Sequence, residues 1–164
     1  MPERRLKGRK RIRQKEVLAL LRRMEASYGS SPFSEGDQVD RAGGRDFDVL
    51  YVSGQVVALV VDDEPFPTVR GLLRSPGGKR HVTVDMGAVP YVYNGADVMS
   101  PGIVDADPEI AVGDMVWVRD ERNLRPLAVG KALLAGGEMA SSRHGRAVET
   151  VHHVGDWLWM LGEG

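Results

Sequence analysis

From His81 onward the apolar residues come in short β-rich runs closed by glycine or proline turns, and this punctuation constrains the fold more than any other feature. His81–Val84, Ala96–Met99, Met115–Arg119, Leu127–Leu134 and Asp156–Leu161 read as strands, with turns at Pro101-Gly102, Val112-Gly113-Asp114 and Asn123. One short helix interrupts them. Asp85 can cap it, and Ala88, Val89, Val92 and Tyr93 supply apolar positions at helical spacing. Pro90 falls in its first turn, where a missing amide costs little, and Asn94-Gly95 provides a left-handed stop. Many short strands with so little helix predict a small barrel rather than a parallel sheet built from βαβ units.

The upstream half has a different texture. Gln14–Met24 sets Val17, Leu20, Leu21 and Met24 on one face of an amphipathic helix. Residues 25–44, rich in Ser, Gly, Pro and Asp, read as a loop. Phe47–Val52 and Gln55–Val61 flank Ser53-Gly54 as a buried hairpin. Pro65-Phe66-Pro67 ends that unit, and Thr68 can cap a short helix through Arg74 that stops at Pro76-Gly77-Gly78. The domain boundary is placed near Lys79, giving a basic arm at 1–13, an N-terminal domain at 14–78 and a second domain at 79–164.

Charge is distributed unevenly. Ten of the 22 basic residues precede Ala26, against three of the 23 acids, so that segment carries +7 and the rest −8. Arg4, Arg5, Arg9, Lys10, Arg11 and Arg13 suit a polyanion, because each cation placed on a phosphate releases condensed counterions. The competing role is to keep an acidic domain soluble. Apolar content of 42% and charged content of 27% are ordinary for a globular chain. No run reaches the ~20 apolar residues of a membrane span, and the absence of cysteine removes disulfides, thiolate metal sites and cysteine nucleophiles. The expected location is the cytoplasm.

The stretch Val84-Asp85-Met86-Gly87-Ala88-Val89, followed by Asn94-Gly95-Ala96-Asp97-Val98-Met99-Ser100-Pro101-Gly102-Ile103, resembles the opening helix, turn and second strand of PUA domains. It is similar above all to the malignant-T-cell-amplified-sequence family of translation regulators and its archaeal counterparts. The likeness continues through Val129-Gly130, His152 and Trp157-Leu158-Trp159, and reaches upstream to Pro65–Arg70, covering roughly residues 47–161. The resemblance implies an α+β chain, with a small N-terminal α/β (pre-PUA) domain and a C-terminal PUA β pseudo-barrel. It further implies an RNA-binding protein of the small ribosomal subunit and tRNA ends, acting in translation initiation or recycling. Its partners would be structured RNA, either tRNA or small-subunit rRNA, and a translation factor. The lack of cysteine and the glycine- and serine-rich loop before the hairpin depart from the eukaryotic pattern and bear on the protein-partner surface.

The RNA-contacting candidates are Asn94, Gly95, Ala96, Asp97, Met99, Ser100, Pro101 and Gly102, joined by Lys131, Arg143 and Arg146. Gly95 and Pro101-Gly102 would let two backbone segments form one shallow face, or they serve only the chain reversals of a small barrel. His144, with Arg143 and Arg146, reads as a basic loop or a solvated turn. His152-His153 lacks the further ligands that zinc requires, so no metal and no cofactor is expected. Asp62-Asp63-Glu64 suits a solvated turn, and Trp157 and Trp159 suit packing more than base stacking. With no catalytic constellation in the sequence, the chain is expected not to be an enzyme. The alternatives are an accessory targeting module for an RNA-modification enzyme and a protein-interaction adaptor.

Overall fold

The computed structural model describes residues 5–161, which group into two compact units. One runs to Gly78 and takes back the chain from Trp157, and the other is Lys79–Asp156.

The first unit is built on a five-stranded antiparallel sheet in the order β1-β2-β3-β4-β5, formed by Leu6–Arg11, Val39–Gly44, Asp48–Val52, Gln55–Val61 and Glu64–Pro67. Helix α1 (Gln14–Tyr28) buries Val17, Leu20, Met24 and Tyr28 and lies against β5. It runs further than its apolar face foretells and ends at Gly29, in the left-handed region at φ 90°. Tyr28 meets Phe66 edge-on at 5.7 Å, and its hydroxyl donates to the Ser75 carbonyl at 2.6 Å. Helix α2 (Val69–Arg74) starts where expected: the Thr68 hydroxyl accepts from Gly71 N at 3.2 Å and donates to Val56 O at 2.8 Å. Pro65 and Pro67 lie on the edge strand β5, where a missing amide is tolerated.

Three expectations change here. The stretch 25–44 is not one loop, because it holds the end of α1 and the whole of β2. The basic arm is a strand over Leu6–Arg11, pinned by pairing to β2 and by Asp40, which accepts from Arg9 Nε at 3.1 Å and Arg11 Nε at 2.5 Å. The last segment is a helix, Trp157–Leu161, in place of a strand, and it belongs to the first unit rather than to the second. Leu158 is buried, Trp157 stacks on Phe47 with ring centroids 6.0 Å apart, and Arg70 lies 3.9 Å above the Trp159 ring.

The second unit is a six-stranded sheet. Its strands are β6 (His81–Val84), β7 (Val98–Met99), β8 (Ile103–Ala106), β9 (Met115–Asp120), β10 (Pro126–Ala132) and β11 (Arg146–His153), in the order β7-β11-β10-β9-β6-β8. The edge strands β7 and β8 are joined only by the 3-10 turn Ser100–Gly102, which brings the two edges together and nearly closes the sheet into a barrel. Val82, Val84, Val116, Val118, Leu127 and Val148 fill its core. Helix α3 (Val89–Tyr93) and helix α4 (Gly136–Met139) cover it, with Val92 and Met139 turned inward. The helix Trp157–Leu161 is α5. Among the described residues no helix is long and apolar enough to cross a membrane.

Candidate nucleic-acid interface

The predicted motif forms one continuous surface feature. Asp85 Oδ1 accepts from Ala88 N at 2.9 Å and starts the turn into α3, where Pro90 occupies the first turn. Gly95 stops the helix at φ 86°, its N–H bonding Val92 O at 3.0 Å. The chain then turns back through Ala96, whose N–H bonds Tyr91 O at 3.0 Å, into β7. Asp85 N donates to Gly102 O at 2.8 Å, holding the start of the motif against its end. Between them lies an open, mostly apolar groove of about 400 Å³, lined by Asp85, Gly87, Ala88, Tyr91, Val92, Asp97, Val98, Met99, Pro101 and Gly102. Tyr91 is 68% exposed and Met99 48%, so the groove offers a ring and a soft side chain to solvent.

The candidate residues play unequal parts. Met99, Pro101 and Gly102 line the groove, and Asn94 and Ala96 are exposed beside it. A Cβ on Gly102 would sit 3.0 Å from the Ala88 Cβ, so its smallness serves the close approach of the two walls. Gly95 does a packing job: a Cβ there would lie 2.8 Å from His153 Nε2. Asp97 lines the groove, yet its oxygens accept from Arg146 Nη1 at 2.9 Å and Thr150 N at 3.0 Å. Arg146 pairs in register with Met99, and Ser100 N bonds Gly145 O at 3.0 Å, which sets the exposed Arg143–Arg146 turn along the β7 side.

Ser100 and Lys131 are placed away from the groove lining. Ser100 is 1% exposed and its hydroxyl has no hydrogen-bond partner among the described residues, so its side chain lies under the surface. Lys131 lies in β10 opposite Glu149, with β11 between it and β7, and is not brought to the groove. Tyr91, which was not among the candidates, also lines the groove, and its place one helical turn before Asn94-Gly95 is the sequence signal for it.

The basic strand is partly committed to its own unit. Arg9 pairs with Asp40 and lies 3.9 Å above the Tyr51 ring, Arg11 shares Asp40, and Arg5 sits 5.2 Å over Trp157. The hydrogen bond from Arg11 leads in holding the Asp40 carboxyl below its ordinary pKa; desolvation opposes it, and the Arg9 hydrogen bond and the charges of both arginines add to the lowering. Lys10 and Arg13 remain exposed. Arg4 lies outside the described residues.

The histidine pair is engaged in the fold. His152 is 1% exposed and its Nδ1 donates to Asp156 at 2.9 Å, while His153 Nδ1 donates to Val154 O at 2.8 Å. Among the described residues no three His, Cys, Asp or Glu side chains gather in a metal-holding group.

Residues 80–154 match the model of the PUA domain, an RNA-binding fold. A Methanocaldococcus jannaschii protein, named only as uncharacterized, is 45% identical over 70% of each chain. Human malignant T-cell-amplified sequence 2 is 31% identical over 70% of this chain. The chain is a PUA-domain protein that resembles the malignant T-cell-amplified sequences. Translation machinery-associated protein 20 of Eremothecium gossypii is similar as well, 33% identical over 67% of this chain. The alignments span 65% of the human and of the Eremothecium protein, slightly under two thirds of each. A hypothetical protein from Pyrococcus horikoshii has the same fold over nearly its whole length, with a TM-score of 0.85, 34% identity, and coverage of 94% of this chain and 99% of that one. The Gly95–Gly102 string lies within the residues that match the PUA model.

Proposed function

We propose that this PUA-domain protein holds the unpaired end of a structured RNA, a tRNA or small-subunit rRNA, and acts in translation initiation or recycling in the cytoplasm. It works by binding rather than by catalysis, and a translation factor shares the complex. The observation that carries this reading is the groove beside α3. Its walls are backbone at Gly87 and Gly102, so a sugar–phosphate chain can come close, and Tyr91 and Met99 stand exposed for a base to rest on. RNA is recognised in this way at unstacked ends, by stacking and backbone contact more than by groove sequence. The relatives named for the translation machinery support this setting.

In-cell crosslinking followed by sequencing of the bound RNA tests the proposal. Enrichment of tRNA ends or of small-subunit rRNA is expected. Recovery of neither, from cells in which the protein is abundant, overturns it. In vitro, Ala96→Arg should keep the melting temperature and weaken binding to a structured RNA end, although its added charge favours non-specific binding.

A further inference from the structure

The β9–β10 connection, Glu121–Arg125, is organised from within by one buried carboxylate. Asp120 is 5% exposed; its Oδ1 accepts from Arg122 N at 2.9 Å and Asn123 N at 2.6 Å, and its Oδ2 accepts from Arg125 N at 3.3 Å. Two backbone bonds, Asp120 N to Arg125 O at 3.2 Å and Leu124 N to Asp120 O at 3.1 Å, close the turn. Leu124 is held in the left-handed region at φ 56° and is 50% exposed, a conformation that a leucine adopts only when its surroundings impose it. The turn is therefore rigid and projects its side chains outward.

Two of the five are cationic. Arg122 and Arg125 are exposed and make no ion pair among the described residues, whereas Arg119, on β9 just before the turn, is held by Thr83 Oγ1 at 2.9 Å and by Asp105. Glu121 is the only acid in the turn itself. Position gives the pair its meaning. Glu121 N bonds Val84 O at 3.0 Å, and Asp85, the next residue, bonds Gly102 O through its own N–H at 2.8 Å. The turn therefore stands at the Asp85–Gly102 end of the groove, while the Arg143–Arg146 turn flanks the Met99 side.

We infer that Arg122 and Arg125 form a clamp for the phosphodiester backbone of the RNA whose end enters the groove, and that Asp120 is the positioning residue that sets the clamp. The inference rests on the reading of the groove proposed above. Two guanidiniums on a preorganised turn suit phosphate oxygens, which accept paired N–H donors, and less conformational freedom is given up on binding when the turn is already fixed.

The test is fluorescence anisotropy of the full chain with a tRNA transcript at several salt concentrations. Three variants are compared with the parent: Arg122→Gln/Arg125→Gln, Asp120→Ala and Tyr91→Ala, each checked by thermal melting. The double variant should bind about tenfold more weakly and lose roughly 1.4–1.8 from the slope of log affinity against log salt, at about 0.7–0.9 for each neutralised phosphate. Asp120→Ala removes a negative charge, so simple electrostatics makes it bind more tightly. A positioning role makes it bind about threefold or more weakly, with the slope little changed. A double variant with the parent's slope and affinity overturns the clamp, and if Tyr91→Ala weakens binding in the same series the groove reading survives. If the double variant loses slope while Tyr91→Ala binds like the parent, the clamp stands and the groove reading fails. A folded Asp120→Ala that binds as tightly as the parent, or more tightly, overturns the positioning role. Should Asp120→Ala not fold, Asp120→Asn, which keeps one acceptor oxygen, takes its place with the same two outcomes.

Discussion

Gly95 and Gly113 both adopt positive φ, at 86° and 94°, but only Gly95 has a neighbour that an added side chain would strike. Comparing the same substitution at both sites separates backbone strain from packing. Asparagine tolerates the left-handed region, so Gly113→Asn should change stability by less than about 0.5 kcal/mol. Gly95→Asn should cost about 1–3 kcal/mol through overpacking against His153, as read by urea unfolding. Asp107 provides a second test at this scale. Burial raises its pKa, but the N–H groups of Glu109 and Arg80, aided by the charges of His81 and Arg80, outweigh that and leave it lowered. A carboxyl with a lowered folded-state pKa adds stability that is fully present above its unfolded value of about 4 and disappears as pH falls through the folded value. Asp107→Asn should therefore flatten the fall in unfolding free energy below about pH 4 while lowering stability at neutral pH. Urea titrations between pH 2 and pH 6 would show an unchanged acid limb if the carboxylate made no such contribution.

At the scale of elements, β1 changes the meaning of the basic N-terminus. Deleting residues 1–11 would expose the β2 edge and remove the bonds from Arg9 and Arg11 to Asp40, so weaker RNA binding would be confounded with damage to the fold. The cleaner variant is Lys10→Gln with Arg13→Gln, both exposed. It should keep the melting temperature and lower the salt slope of RNA binding by about 0.7 for each single-strand phosphate left without its cation. An unchanged slope would assign these charges to solubility. Elements with strong local punctuation were legible in the sequence: the hairpin around Ser53-Gly54, the Thr68 cap, and α3 between Asp85 and Gly95. Those defined by distant partners were not. β1 has no alternating apolar residues, and only pairing with Val39–Gly44 makes it a strand. In Trp157-Leu158-Trp159 the tryptophans alternate with a leucine as in a strand, yet Phe47 and Arg70 of the first unit hold them as a helix, and a run this short carries no decisive period. The groove was legible as a glycine-bearing motif. The burial of Ser100 and the remoteness of Lys131 depend on strand order, which spacing does not encode.

For the whole molecule, the division into units is discontinuous along the chain: residues from Trp157 complete a unit whose main body ends at Gly78. Removing residues 157–164 should therefore destabilise the first unit and leave the melting of the barrel, Lys79–Asp156, nearly unchanged. The deletion would take away the buried Leu158, worth about 1.5–3 kcal/mol, and the Trp157–Phe47 stack, worth about 0.5–1.5 kcal/mol. Hydrogen exchange that slowed or quickened equally in both units would refute that division of labour. The same arrangement sets a timetable during synthesis. Residues 79–156 must be translated before Trp157, Leu158 and Trp159 exist, and at about 5–20 residues per second this takes roughly 4–16 s. The portion made first is thus the portion finished last, with Phe47 and Arg70 waiting for their partners until the barrel has been translated.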